Sequence, residues 1–237
     1  MGIAISLAII VLAALTHASF QLSVSVLTML SAHTIGSKKS RGRLLHLTSS
    51  FVLGAGIMTI LLLSFTSFLL INLFGNYAPQ VVWAIACGLT VGVAISVWIF
   101  YYRRAKGTML WIPRSIARYL ADRTEATKIG AEAFSLGLVS VIGELIFIVA
   151  PLLISALVII QLPPAWQLIA TIIYTIISML SLLIVWIGIS GGHSLSRIQK
   201  WRETNKHFLQ FAAGAGLIVL GSFVYVNEIV VNMVGKF

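Results

Sequence analysis

The sequence predicts an all-α, polytopic membrane protein with six transmembrane helices arranged as a 3+3 inverted repeat. Three observations predict this class. Of the 237 residues, 59% are hydrophobic and only 9% are charged, and the mean hydropathy is +1.03. Six apolar segments are long enough to cross a bilayer. The loops between them alternate between short uncharged connections and longer basic ones.

The composition excludes several classes of protein. A soluble domain carries about 25% charged residues, so the charge present here is too sparse to cover a water-soluble enzyme of 25.7 kDa. A formal charge of +10 would indicate nucleic-acid binding in a soluble protein, but the basic residues lie in loops between apolar segments, and we predict no nucleic-acid partner. The single cysteine, Cys87, excludes an intrachain disulfide and a cysteine-based metal cluster.

A transmembrane helix requires about 20 predominantly apolar residues. Numbered as spans one to six, the segments that meet this requirement are 3–31, 48–74, 80–102, 132–160, 165–190 and 208–232. The loops after spans two and four (76–79 and 161–164) carry no charge. These two loops are therefore predicted to lie on one side of the membrane.

The loops after spans one, three and five carry fifteen of the sixteen Lys and Arg residues, and Lys236 is the exception. Short loops rich in Lys and Arg remain cytoplasmic. We therefore predict a multi-pass protein of the cell (inner or plasma) membrane, with both termini outside and the basic loops in the cytoplasm. Its first expected partner is the lipid bilayer.

The chain divides into two halves joined by a basic linker. Residues 1–102 form the first three-helix repeat, 103–131 the cytoplasmic amphipathic linker, and 132–237 the second repeat. Each half crosses the membrane an odd number of times, so the halves have opposite orientations, as in many secondary transporters. In the linker, Ile116 and Leu120 at helical spacing indicate a helix lying on the inner leaflet, although a solvated linker fits the pattern equally well.

Two ionisable residues lie near the middle of corresponding spans, His17 in span one and Glu144 in span four. Charged groups at this depth are costly and normally face the protein interior or water. Aligning these two residues also superposes Phe20 on Phe147. Helical spacing predicts that each residue belongs to a polar stripe on one helix face. The stripes are His17, Gln21, Ser25 and Thr28 in span one, and Ser140, Glu144 and Ser155 in span four.

A His/Glu pair supports two kinds of chemistry. With hydroxyl and carbonyl oxygens it can bind a cation, and it can relay protons because His titrates near neutrality. The metal identity stays open, and no cofactor is predicted. The rival interpretation is a structural His–Glu contact that locks the two halves together. The hydroxyls of spans two and five are assigned to helix packing.

Three local segments carry a family resemblance. Span four contains Phe134-Ser-Leu-Gly-Leu-Val-Ser140 followed by Ala150-Pro151-Leu-Leu-Ile-Ser-Ala156, and span six contains Gly214-Ala-Gly-Leu-Ile-Val-Leu-Gly221. With six spans in a 3+3 repeat, the chain resembles the lysine-exporter superfamily in its broad sense, which includes the membrane electron carriers of cytochrome c biogenesis. The resemblance implies export of a small solute or metal. The electron carriers would need a cysteine in spans one and four, and neither span has one.

We therefore expect a secondary transporter or exporter of a small solute or cation, with a polar midplane site between spans one and four. The alternative is a non-transporting membrane subunit that anchors or stabilises a partner complex. An enzymatic role is not expected, because no Walker A, His-Glu-x-x-His or Gly-x-Ser-x-Gly motif is present. The sequence leaves open whether a homo-oligomer or a partner membrane protein is involved.

Overall fold

The computed structural model describes residues 2–20, 22–36, 41–100, 114–191 and 195–231. Within these ranges the chain is almost entirely helical and has no β-strand. The helices are α1 (Ile3–Ala18), α2 (Leu22–Gly36), α3 (Arg41–Phe74), α4 (Gln80–Phe100), α5 (Arg114–Ala126), α6 (Gly130–Ile159), α7 (Pro164–Ser178), α8 (Leu180–Ser190), α9 (Leu195–Thr204) and α10 (Lys206–Tyr225), followed by a π-helical turn over Val226–Val230.

Four helices in the described ranges are long and apolar enough to cross a membrane: α3, α4, α6, and α10 with its π-helical turn. Two further candidates are bent pairs. Helices α1 and α2 meet at 45°, and helices α7 and α8 meet at 54°. The structure therefore offers four spanning helices, or six if each bent pair counts as one span. Spans one and five, which the sequence predicts as continuous helices, are both broken.

Local chemistry accounts for the helix ends. Helix α3 ends before Gly75, which has a φ of +69°, a left-handed conformation that glycine adopts without steric cost. Helix α7 begins at Pro164, because the first helical position does not need a backbone N–H donor. At the first break, Phe20 N–H donates to the His17 carbonyl at 3.0 Å, an i to i−3 bond that tightens the last turn of α1.

The tightest helix contact joins α3 and α6. A Cβ atom at Gly54 would overlap the carbonyl oxygen of Phe134, and a Cβ atom at Gly137 would overlap the carbonyl oxygen of Phe51. Farther toward the start of both helices, Gly130 of α6 lies against His46 of α3, so the two helices run parallel, with their first residues at the same end of the bundle. Small residues allow membrane helices to approach backbone to backbone. Helix α10 packs on α4 through a side chain instead, with Gly214 against the Trp98 indole.

The basic loops meet at one end of the bundle, called here the basic end. Arg41 Nη2 donates to the Ser190 carbonyl at 2.7 Å, and Arg43 Nη2 donates to the Lys128 carbonyl at 2.8 Å. These bonds bring together the start of α3, the end of α8 and the residues before α6. The predicted linker is helical over residues 114–126, where the side chain of Leu120 is buried against the bundle. Residues 103–113 lie outside the described part of the chain.

Large apolar side chains cover the outside of the bundle. Such a surface is unsuited to water and matches a lipid environment. Among the most exposed are Leu53, Phe65, Phe68, Leu73, Val81, Ile85, Leu168, Ile184 and Phe208.

Candidate functional site

His17 lies in the last turn of α1, next to the first helix break. Its side chain is 5% exposed, and its Nδ1 atom lies 3.0 Å from the hydroxyl of Tyr174 on α7. Tyr174 is itself fully buried. This hydrogen bond joins the first bent pair to the second, at a level close to both breaks.

Glu144 lies at the middle of α6 and is 3% exposed. Its Oε1 atom accepts a hydrogen bond of 2.5 Å from the backbone N–H of Ser23, in the first turn of α2. The first N–H groups of a helix have no partner within the helix, and a carboxylate there also interacts favourably with the helix dipole. Glu144 therefore caps α2 from a different helix. The hydroxyl of Ser23 lies 3.1 Å from that of Ser140.

His17 and Glu144 line the same small cavity, which has a volume of about 30 Å³. The cavity lies between the two helix breaks, because Phe20 from the first and Met179 from the second also line it. A space of this size can hold a water molecule or a bare ion. Its polar lining consists of His17, Ser23, Thr59, Glu144, Ser178 and Ser181.

The donor set is rich in oxygen. Near the cavity, the last carbonyl groups of α1 lie at the negative end of the helix dipole and accept hydrogen bonds. One of them, the Ala18 carbonyl, accepts a hydrogen bond of 2.6 Å from the Ser181 hydroxyl. No three His, Cys, Asp or Glu side chains of the described residues are grouped to hold a metal ion. Oxygen ligands of this kind suit a hard cation better than a transition metal.

The predicted stripe of span one does not continue across the bend. Ser25, on α2, accepts a hydrogen bond of 2.9 Å from Arg202 Nη2. Thr28 is buried and donates to the Ser25 carbonyl at 2.8 Å. Gln21 lies outside the described residues. Of the described residues of this stripe, only His17 lines the cavity.

The predicted stripe of span four stays on one continuous helix. Ser140 is one turn from Glu144 and contacts Ser23, as described above. Ser155 is fully buried, lies outside the cavity lining, and its hydroxyl has no hydrogen-bond partner among the described residues. Pro151 lies within α6 and does not break it.

Sequence reasoning did not select six residues that complete the site, namely Ser23, Thr59, Tyr174, Ser178, Ser181 and Arg202. The spacing of Tyr174 and Ser181 along span five predicts only a role in helix packing. Arg202 was counted only as a loop charge, whereas its side chain is 4% exposed and interacts electrostatically with Glu144. The segment between Thr16 and Ser23 contains no Gly or Pro that would have signalled the break.

Comparisons of the chain with protein-family models, with curated proteins and with solved structures find no match.

Proposed function

We propose that this chain is an integral membrane secondary transporter whose substrate, a small solute or cation, passes through the cavity lined by His17 and Glu144. The observation that carries the proposal is the shared cavity at two helix breaks. Broken helices supply half-helix ends and free carbonyls at ion sites of secondary transporters. Irregular backbone at membrane depth is tolerated where it lines such a cavity.

The volume of the cavity favours a cation over a larger solute. A space of about 30 Å³ admits only a water molecule, a hydronium ion or a dehydrated cation. The carboxylate and the surrounding oxygens would attract positive charge. A larger solute would require the two bent pairs to move apart, with the breaks acting as hinges.

The packing pattern supports the proposed 3+3 inverted repeat and, with it, six spans. If spans one to three correspond to spans four to six, equivalent helices should make equivalent contacts. Helix α1 of span one contacts α7 of span five, and its equivalent, α6 of span four, contacts α3 of span two. In the same way, α1 contacts α10 of span six, and α6 contacts α4 of span three. The Phe20 and Phe147 rings, which the repeat equates, stack with centroids 5.5 Å apart. Equivalent residues meet in this way near a two-fold axis.

The basic end supports the proposed orientation. Hydrogen bonds from Arg41 and Arg43 gather the predicted cytoplasmic segments at one end of the bundle. The positive-inside rule then assigns this end to the cytoplasm of the cell membrane. The resemblance to the lysine-exporter superfamily is consistent with this arrangement and stays a prediction.

The first testable prediction concerns Glu144→Gln. The amide oxygen of Gln can still accept the Ser23 N–H, so the cap of α2 is retained while the charge and the exchangeable proton are lost. In liposomes containing the purified protein, we expect wild type to accelerate Na⁺, K⁺ or proton movement, followed with ²²Na⁺, ⁸⁶Rb⁺ or a trapped pH dye. Glu144→Gln should reduce this movement to the rate of protein-free liposomes.

Glu228→Gln is the matched control, because Glu228 is also a buried carboxylate but lies in the π-helical turn outside the cavity lining. Its flux should equal that of wild type. Wild-type flux in Glu144→Gln would show that transport does not require the carboxylate of Glu144. Wild-type flux no faster than that of protein-free liposomes for all three cations would overturn the cation form of the proposal and favour a non-transporting subunit.

A further inference from the structure

A second, larger concavity opens on the side of the bundle between α2, α8, α9 and α10, and is called here the α8–α9 groove. Its volume is about 550 Å³, within the range of pockets that hold small organic ligands. Most of its lining is apolar. One wall is the face of α8 that carries Ile184, Val185 and Gly188, and Trp201 and Leu209 contribute from α9 and α10.

Two arginines of α9 give the α8–α9 groove a positively charged end. Arg197 is exposed at its rim, and Arg202 is buried and donates to the Ser25 hydroxyl at 2.9 Å. Both side chains line the groove. A guanidinium group matches the geometry of phosphate oxygens. The ligand that fits this arrangement therefore carries an anionic group and an apolar body.

The groove is also oriented as a phospholipid would require. Helix α8 ends at the basic end, where Arg41 contacts the Ser190 carbonyl, and the arginines of α9 follow it. From Gly188 to Ser181 the wall extends about 10 Å toward the bundle centre, much of one leaflet of a hydrocarbon core about 30 Å thick. Ile184 and Ile187 are 67% and 60% exposed at the rim, so the groove opens sideways toward lipid.

We propose that the α8–α9 groove is a binding site for an anionic phospholipid of the leaflet at the basic end. The phosphate binds at Arg197 and Arg202, and one acyl chain lies along α8. Val24 and Ser181 line both this groove and the cavity that contains His17 and Glu144. The acyl chain therefore ends next to the cavity wall. This site follows from the groove alone and does not depend on transport.

Native mass spectrometry of the purified full chain in detergent tests the proposal, with phosphatidylglycerol and phosphatidylcholine of identical acyl chains as probes. We expect one phosphatidylglycerol to remain bound at concentrations where phosphatidylcholine does not. Arg197→Gln should weaken phosphatidylglycerol binding about fivefold, the effect of one arginine near an anionic lipid. Arg118→Gln, an exposed arginine on α5 outside the groove, should leave it unchanged.

A steric pair of variants provides an independent readout. Ile184→Trp fills the groove and should reduce phosphatidylglycerol binding, whereas Ile172→Trp, at an exposed position outside the groove, should not. Equal retention of the two lipids by wild type would overturn the proposal, and so would equal losses in Arg197→Gln and Arg118→Gln. Displacement by inorganic phosphate at constant ionic strength would identify a free-anion site instead and would also overturn it.

Discussion

The carboxylate of Glu144 performs for α2 the role that a Ser or Asp side chain usually performs from the residue before a helix. The Ser23 N–H that it binds belongs to a helix that begins within the bundle, where both residues are buried. His17 is held in the same manner by Tyr174. The two ionisable residues thus have separate hydrogen-bond partners, each on the opposite half of the chain.

Tyr174→Phe should destabilise the protein by about 1–3 kcal/mol, because it leaves a buried His17 nitrogen without its partner. Thermal unfolding in detergent, followed by tryptophan fluorescence, measures the change. Tyr119→Phe is the control, since Tyr119 is half-exposed on α5 and exposed substitutions usually change stability by less than about 0.5 kcal/mol. Equal unfolding midpoints for the two variants would contradict the role given to the hydroxyl of Tyr174.

At the scale of elements, hydropathy predicted where the long apolar helices lie but not where the chain bends. The predicted start of span three at residue 80 coincides with that of α4, and span four begins within two residues of α6. Pro151, the residue expected to disturb a helix, lies within the continuous α6, whereas the breaks fall at Phe20 and Met179. These breaks depend on tertiary partners such as Glu144 and Ser181, which a pattern read along one segment cannot reveal.

The α3–α6 contact predicts a strong effect from a single methyl group. Gly137→Ala introduces a Cβ atom onto the Phe51 carbonyl, and overpacking of this kind costs about 1–3 kcal/mol. We expect a lower thermal midpoint and less monodisperse protein on size-exclusion chromatography. Gly88→Ala on α4, where a Cβ atom would meet nothing within 4 Å, should leave both measurements unchanged. A Gly137→Ala variant as stable as Gly88→Ala would mean that the two helices are not in backbone contact.

At the scale of the whole molecule, two bent helix pairs and two tightly packed helices surround one polar cavity, and apolar side chains cover the outside. The membrane environment and the central His/Glu pair could be predicted from composition and spacing, because both depend on the cost of polar groups in lipid. The α8–α9 groove could not, because it combines residues from four helices whose relative positions only the fold determines.

The proposed orientation predicts which residues a membrane-impermeant maleimide reaches in intact cells. In a Cys87→Ser background, Tyr77→Cys should react from outside, because Tyr77 is 77% exposed in the loop between α3 and α4. Arg118→Cys at the basic end should react only after the membrane is permeabilised. Phe65→Cys on the lipid-facing side of α3 should remain unlabelled in both cases. If Tyr77→Cys reacts only after permeabilisation and Arg118→Cys reacts in intact cells, the orientation is the opposite of the one proposed.

The cap that Glu144 provides also constrains biosynthesis. Ser23 and its acceptor are separated by 121 residues, and a ribosome adds residues at about 5–20 per second, so a nascent α2 waits about 6–24 s for its cap. During that interval the first turn of α2 lacks this hydrogen bond. The N-terminal half therefore reaches its final geometry only when the middle of the chain has been translated.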